Sequence, residues 1–386
     1  MKGTLSMVER LDLDAVTTIL RLLNDPADIV RFAAVSRTCQ KIVVESRFVK
    51  DLCIGISPEV ALFNSVVVED KMSINEGQSS CKDLEWENLK REHRVYAMLA
   101  HELRAIGTDR SCICEPVHAS STDNYPEESI INTLDPRHRE AGRPSYWSSK
   151  GESNIQVPET LTYALHTELC VVHEIKIRPF RAYFQLGAPI YSANAVRFRL
   201  GYFNSGPRSN IPAVDRLVSS DGSDCEDYVW MYVSQEYPMQ QVDKLQTFKL
   251  PRPVLCIGAI LQIELLGRIQ KQVTDGLYYI CVCHVDVVGR PLSFLNFEVL
   301  AQARQFILKY SESRECSHML SENTSRLIED EVTGMSSVTH SVAARIRQAR
   351  ARRVIALLGN TGIVNFFLPN NQDSDEEDGH FDPAIF

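Results

Sequence analysis

No stretch of this 386-residue chain approaches the roughly 18 consecutive apolar residues of a membrane-spanning helix, and no N-terminal run has the shape of a signal peptide. A soluble protein of the nucleus or cytoplasm is expected. Positive charge is also short, with 41 Lys and Arg against 50 Asp and Glu and a formal net charge of -9. Without a global positive field to hold phosphates, nucleic acid is not the expected partner. Missing too are a glycine-rich phosphate loop, a Walker motif, a G-x-S-x-G elbow and an H-E-x-x-H helix. No catalytic residue and no cofactor is therefore assigned, and the chain reads as a non-enzyme. What it does have is 44% hydrophobic residues, enough for one large domain plus smaller pieces.

Eleven cysteines are scattered with no C-x-x-C pair, which fits reduced thiols in a reducing compartment. Cys281-x-Cys283 followed by His284 falls in a strand-like stretch, where cysteine is an ordinary small buried residue. Cys112-x-Cys114 with His118 falls in a loop and lacks a placed fourth ligand for zinc, so no metal is assigned. The carboxylate-rich run 221–227 lacks the ligand spacing of a calcium loop and reads as a solvated turn. Glu159, Glu174 and Glu264 offer carboxylates, but sequence separation says nothing of the spacing a glycosidase needs.

The first fifty-odd residues are the most specific part. Val16, Ile19, Leu20 and Leu23 repeat at i, i+3, i+4, i+7, the stripe of an amphipathic helix. Pro26 breaks it and suits a first helical position with Asp25 as N-cap, while Asp28 lies in the first turn of the new helix. That helix carries Ile29, Val30, Phe32, Ala33 and Val35, and Ser36 is placed to cap a third through Cys39, Ile42 and Val43. Three helices over Leu11 to Cys53 bury too little to stand alone, so their apolar faces need the rest of the chain or a partner. A helical subdomain is the plain reading. A DNA-binding three-helix unit would need a basic recognition helix, yet Arg37, Lys41 and Arg47 stand beside Glu45 in a charge-balanced segment.

The order Leu11-x-x-Asp14, Ile19-Leu20, Pro26-x-Asp28-Ile29-x-Arg31 and Val35-Ser36-Arg37 resembles the F-box, the adaptor-binding motif of cullin-RING ubiquitin ligases. Asp12 stands where that family usually has Pro, and Cys39 where a Trp is common. The resemblance implies docking to a Skp-type adaptor, and through it to a cullin, by Leu11, Asp14, Ile19, Leu20, Pro26, Ile29, Val30 and Val35. A receptor of this kind needs no catalytic residue, because it acts by holding a target near a ubiquitin-loaded enzyme.

Downstream, 82–104 predicts a long helix acting as a spacer between modules. The Ser-, Asp-, Asn- and Pro-rich 107–144 reads as a loop or extended entry strand. Alternation then takes over in Ile175 and Ile177, in Val196, Phe198 and Leu200, and in Ile263 and Leu265, with further strands over 161–166, 228–233, 245–250 and 277–288. Seven or more strands without long intervening helices predict an antiparallel sandwich or jelly roll. Its opening, Ser145-Tyr146-Trp147-Ser148-Ser149-Lys150-Gly151 with Pro158-Glu159-Thr160, resembles galactose-binding-like, discoidin-type sandwiches. The layout, with the stretch Pro179-Phe180-Arg181-Ala182-Tyr183-Phe184-Gln185, is similar to a group of plant F-box proteins.

The expected fold is thus α+β, with an F-box over 5–54, a linker with its helix over 55–140, a β-sandwich over 141–290, a C-terminal helical region over 291–370 and an acidic tail over 371–386. Within the helical region, 292–310 reads as one helix and 343–358 as another bearing five arginines, either a nuclear import signal or a face paired with the acidic tail. On this reading the chain is the substrate-recognition subunit of an SCF-type ligase and recruits an unidentified protein. The alternative is a lectin-like binder, with Tyr146, Trp147, Tyr183 and Phe184 stacking on a sugar; Trp147, Tyr183 and Phe184 are the substrate-side candidates, though such aromatics are more often core. An enzyme on the sandwich is the third class.

Overall fold

A computed structural model describes residues 12–23, 25–69, 81–105, 109–137, 139–140, 143–204, 228–300, 305–312 and 314. The chain divides into Met1–Leu327 and Ile328–Phe386, and every described residue lies in the first unit. The run 221–227, the arginine-rich 343–358 and the acidic tail lie outside the described residues.

Helices α1 (Leu13–Leu22), α2 (Pro26–Val35) and α3 (Arg37–Glu45) form where the periodicity puts them. Each has a side-chain cap: Ala15 N donates to Asp12 Oδ1 at 2.6 Å, Ala27 N to Asp25 Oδ1 at 2.9 Å and Cys39 N to Ser36 Oγ at 3.1 Å. Asp12, the departure from the family's Pro, is thus itself the cap of α1. A fourth helix, α4 (Phe48–Ile56), follows a left-handed Arg47 at φ 53°. Strand β1 (Phe63–Val68) comes next, and then α5 (Cys81–Arg104).

The long helix is not a spacer. Val95, Tyr96, Leu99, Ala100 and Leu103 of α5 are buried in one cluster with Val16, Leu20 and Ile29 of the N-terminal helices and with Phe48, Val49 and Cys53 of α4. The charged residues that suggested a solvated rod cover only its outer side, and its inner stripe is core.

The sandwich consists of β2 (Ile113–Ala119), β3 (Glu159–Leu165), β4 (Leu169–Arg181), β5 (Ala193–Phe203), β6 (Tyr228–Val233), β7 (Gln246–Ile257), β8 (Ile260–Arg268) and β9 (Cys281–Pro291). One antiparallel sheet runs β6-β5-β8-β3-β2 and the other β7-β4-β9, and their inner faces share a core that includes Tyr163, Phe198, Ile263, Ile175, Phe248 and Val285. Strand β2 takes the extended alternative expected within 107–144, and β7 runs on through Pro251 and Pro253 with a register shift between Lys249 and Val254. Gly289, which looks like a strand end in the sequence, is instead a bulge inside β9, where a Cβ would lie 2.1 Å from Val171 O.

The expected helix over 292–310 is replaced by β10 (Leu295–Leu300) and β11 (Gln305–Tyr310). Leu295 and Phe297, then Phe306, Leu308 and Tyr310, are buried at period two, a pattern that the aliphatic residues Val299, Leu300 and Ile307 masked. Strand β11 pairs in parallel with β1 and antiparallel with β10, closing a third sheet from segments some 240 residues apart (Val66 opposite Leu308).

The helices and the sandwich are fused. At the start of β4, Cys170 and Val172 face the sandwich core while Leu169 and Val171 face the helical cluster; at the end of β7, Val254 and Cys256 face one way and Leu255 and Ile257 the other. Two arginines staple the join. Arg252 Nη1 and Nη2 donate to the buried Glu59 carboxylate at 2.8 and 2.6 Å. Arg290, fully buried, donates to Glu102 O at the end of α5, to Ala105 O at 2.9 Å and to Asp109 Oδ1 at 3.0 Å. It places a positive charge at the negative end of the helix.

Two measurements test this fusion. A fragment ending at residue 60 is expected to lack helical circular dichroism, because its apolar partners on β4, β7 and α5 are gone. Arg290→Met, which leaves those carbonyls unpaired and takes from Asp109 its guanidinium partner, is expected to lower the unfolding free energy by about 3–5 kcal/mol in urea titration.

Candidate functional site

The two ends of the sandwich differ in character. At the helical end the N-terminal helices split their apolar residues between core and solvent. Among the adaptor-side candidates, Leu20 and Ile29 are each 1% exposed and Pro26 is buried, so they hold the helices together and have no surface to offer a partner. The exposed set is Ile19, Val30 and Val35, joined by Leu13 and Leu22, which the sequence pattern did not single out. Ile19 and Leu22 share one flank of α1 at i, i+3. Asp14 is exposed in the first turn of α1, and Leu11 lies outside the described residues. Arg31 Nη1 donates to Asp28 Oδ1 at 2.7 Å on the exposed side of α2.

At the other end the substrate-side candidates part company. Trp147 is fully buried, pairs with Val282 of β9 and donates from its indole nitrogen to Ser121 O at 3.0 Å. It belongs to the core, which corrects its assignment as a stacking residue. Tyr183 and Phe184 are exposed, edge to face at 5.6 Å, beside Phe180, which stacks on Tyr146 with centroids 3.8 Å apart. Burial and a hydrogen bond to Glu128 push the Tyr146 hydroxyl far above the usual phenol range, so it stays protonated and donates to the Glu128 carboxylate.

The loop carrying Tyr183 and Phe184 is rigidly built. Ala182 N donates to Pro189 O at 2.9 Å, Gln185 N to Ala182 O at 3.0 Å and Ala188 N to Gln185 O at 2.9 Å, with Gly187 at φ 79° and Ala188 at φ 46° completing the turn. Leu186 at its tip is 104% exposed. The hairpin 270–279 stands alongside, with Tyr191 and Tyr279 edge to face at 6.4 Å and Val273 exposed at its tip. Gln241, from the loop before β7, joins the two by donating to Ile190 O at 2.8 Å and Gln270 Oε1 at 3.4 Å.

Beneath these loops the buried Arg268 guanidinium donates to Ser149 Oγ at 3.0 Å, Lys150 O at 2.8 Å, Tyr278 O at 3.0 Å, Val157 O at 3.2 Å and the Glu159 carboxylate. Glu159 is thus a structural anion. Glu264 is another: burial alone would raise its pKa, but Arg197 and Arg199 outweigh burial and hold it below the usual carboxylate range.

Cys39, Cys53, Cys112, Cys114, Cys170, Cys256, Cys281 and Cys283 are all free thiols. Cys281 and Cys283 share one buried face of β9, where burial pushes their thiols up to about 12 and about 11. A carbonyl can only accept, so His284 Nδ1 donates to Thr133 O at 2.9 Å. Among the described residues no group of three or more His, Cys, Asp or Glu is placed to hold a metal ion, and no helix is long and apolar enough to cross a membrane.

No family model matches the chain. It is 44% identical over 301 residues, 75% of its own length and 77% of the relative's, to the F-box protein At4g00755 of Arabidopsis thaliana. The chain belongs to the F-box proteins. Solved structures similar to it include a CBM32 module from a family 31 glycoside hydrolase of Clostridium perfringens, at 10% identity over 46% of this chain and 90% of that one with a TM-score of 0.29. A second is the family 32 module of C. perfringens NanJ, solved with galactose, at 11% identity over 47% and 93% with a TM-score of 0.27. The helices-then-sandwich architecture of this F-box protein rests on its own sheet order and core.

Burial lowers the pKa of His93, His173 and His284 below 6.5. Each is held neutral by the fold, so the stability they contribute is fully present above about pH 6.5 and is lost as pH falls from there through the folded-state values. Melting temperature is expected to drop between pH 7.5 and 5.5, and His284→Gln, whose amide can still donate to Thr133 O, is expected to make that drop smaller.

Proposed function

We propose that the chain is the non-catalytic substrate-recognition subunit of an SCF-type ubiquitin ligase. Its helices capture a Skp-type adaptor, and through it a cullin, while the loop end of the sandwich recruits a protein target in the nucleus or cytoplasm. The observation that carries this reading is the exposed apolar set Ile19, Leu22, Val30 and Val35 on helices whose inner faces are already satisfied by the chain's own core. Such a surface, on a member of the F-box family, is what an adaptor would cover. Each such side chain buried at an interface contributes about 1.5–3 kcal/mol before association costs are subtracted.

Strand β4 is 13 residues long, runs from the helical cluster to the aromatic loop, and spans about 40 Å at roughly 3.3 Å per residue. A target held by the loops would sit at a set distance from the adaptor, which raises the effective concentration of its acceptor lysines.

Ile19→Asp combined with Val30→Asp is expected to abolish co-purification with a Skp-type adaptor while leaving the melting temperature within a few degrees of wild type. Leu20→Ala should instead cost about 2–5 kcal/mol of stability, because it opens a cavity in the core. Undiminished adaptor capture by the double variant would overturn the receptor assignment.

A further inference from the structure

The three joined loops at the far end of the sandwich, 181–190, 239–245 and 269–279, carry an uneven balance of available charge. Their carboxylates are both engaged within the chain. Asp243 Oδ1 accepts from Arg178 at 2.9 Å, and Asp275 accepts from the Tyr279 hydroxyl and, at 2.9 Å, from Leu277 N. Their cations are Arg181, Lys244 and Lys271, all exposed, and none has a carboxylate partner among the described residues. Lys271 reaches only the ring of Tyr278, at 5.7 Å. The same loops present Tyr183, Phe184, Leu186, Leu245 and Val273 to solvent. Apolar side chains held on a hydrogen-bonded loop lose little conformational freedom on binding, and unpaired cations around them favour an anionic partner.

We infer that this platform binds an acidic peptide segment of a protein partner, with large apolar side chains of the peptide seated on Tyr183, Phe184 and Leu186 and its carboxylates facing Arg181, Lys244 and Lys271. The inference rests on the receptor reading above, in which the loop end meets the target, and names the chemistry of that target. A neutral apolar segment would leave three cations without partners, and a basic one would be repelled.

The full chain is panned against a random-peptide display library, and a synthetic peptide of the recovered consensus is titrated by fluorescence anisotropy. Enrichment of Asp and Glu beside Leu, Phe or Trp is expected, with affinity that falls as salt rises. Phe184→Ala with Leu186→Ala, both at exposed positions, should weaken the peptide by about tenfold or more. Arg181→Glu with Lys271→Glu should remove the preference for acidic residues while retaining apolar ones. Each variant is also tested for capture of the Skp-type adaptor. Failure of the wild type to capture adaptor counts against the receptor reading alone, since peptide enrichment is scored independently. Recovered peptides without acidic enrichment, or binding unchanged in both loop variants, would overturn the inference. So would loop-dependent sedimentation with phosphatidylserine vesicles, or loop-dependent signal on a glycan array, without peptide enrichment.

Discussion

The far end of the sandwich is organised by one ion pair, Arg268 with Glu159. The arginine side chain has no exposed surface and the glutamate almost none, so both were taken out of water at a cost of several kcal/mol per ion. That cost is offset only if the donors and lone pairs find partners. Here each nitrogen of the guanidinium does, and each partner lies on a different stretch of chain: the lead-in to β3 at Val157, the strip after Trp147 at Ser149 and Lys150, and the second arm of the 270–279 hairpin at Tyr278. Ser120 and Ser121 occupy the remaining face of the carboxylate. The segment 149–158, the 270–279 hairpin and the Ser120–Ser121 stretch are thereby tied to one ion pair.

The opposite end solves a different problem. There the outer face of a sheet is apolar, and an uncovered apolar sheet face would be an association hazard. Leu169, Val171, Leu255 and Ile257 are instead capped by α4, α5 and the three-stranded sheet. Arg252 and Arg290 use charge as Arg268 does, each satisfying groups that burial would otherwise leave unpaired. The F-box helices therefore pack against the outer face of a sandwich sheet, in a cluster of their own that is separated from the inner core by the strands themselves. They leave exposed only the residues that the chain itself has no use for.

Much of this was legible in the sequence, for identifiable reasons. Caps and breakers act within three or four residues, so Asp25, Pro26 and Ser36 placed the helices where they form. The alternation of Val196, Phe198 and Leu200 carried β5, because one face of that strand meets the core and the other meets water. The failures share a cause in long-range contact. Residues 292–310 are apolar at too many positions for either period to stand out, and the sheet that β11 forms with β10 and with β1, far back in the chain, decides for strand. Helix α5 looks like a solvated rod until the surfaces that cover its inner stripe are known. The site suffered the same limit: amphipathic spacing identifies an apolar stripe, but not whether the chain or a partner covers it. Hence Leu20 and Ile29 were grouped with Ile19 and Val30, and Trp147 with Tyr183.

That division bears on how a receptor of this build would work. If the helices hung on a flexible linker, a bound target would sample a wide volume, and the effective concentration of any one lysine near the ubiquitin-loaded enzyme would fall with linker length. In this F-box protein a shared apolar cluster and buried arginine staples join the helical end to the strands, and β4 runs from that end to the loop platform. The span between the two ends is then set by strand length, not by chain entropy. A stiff span concentrates its effect on lysines lying at the matching distance and gives up those elsewhere. Under the proposed receptor role, such a geometry would select among lysines of a target as well as among targets, through residues such as Arg252 and Arg290 that lie in neither proposed surface.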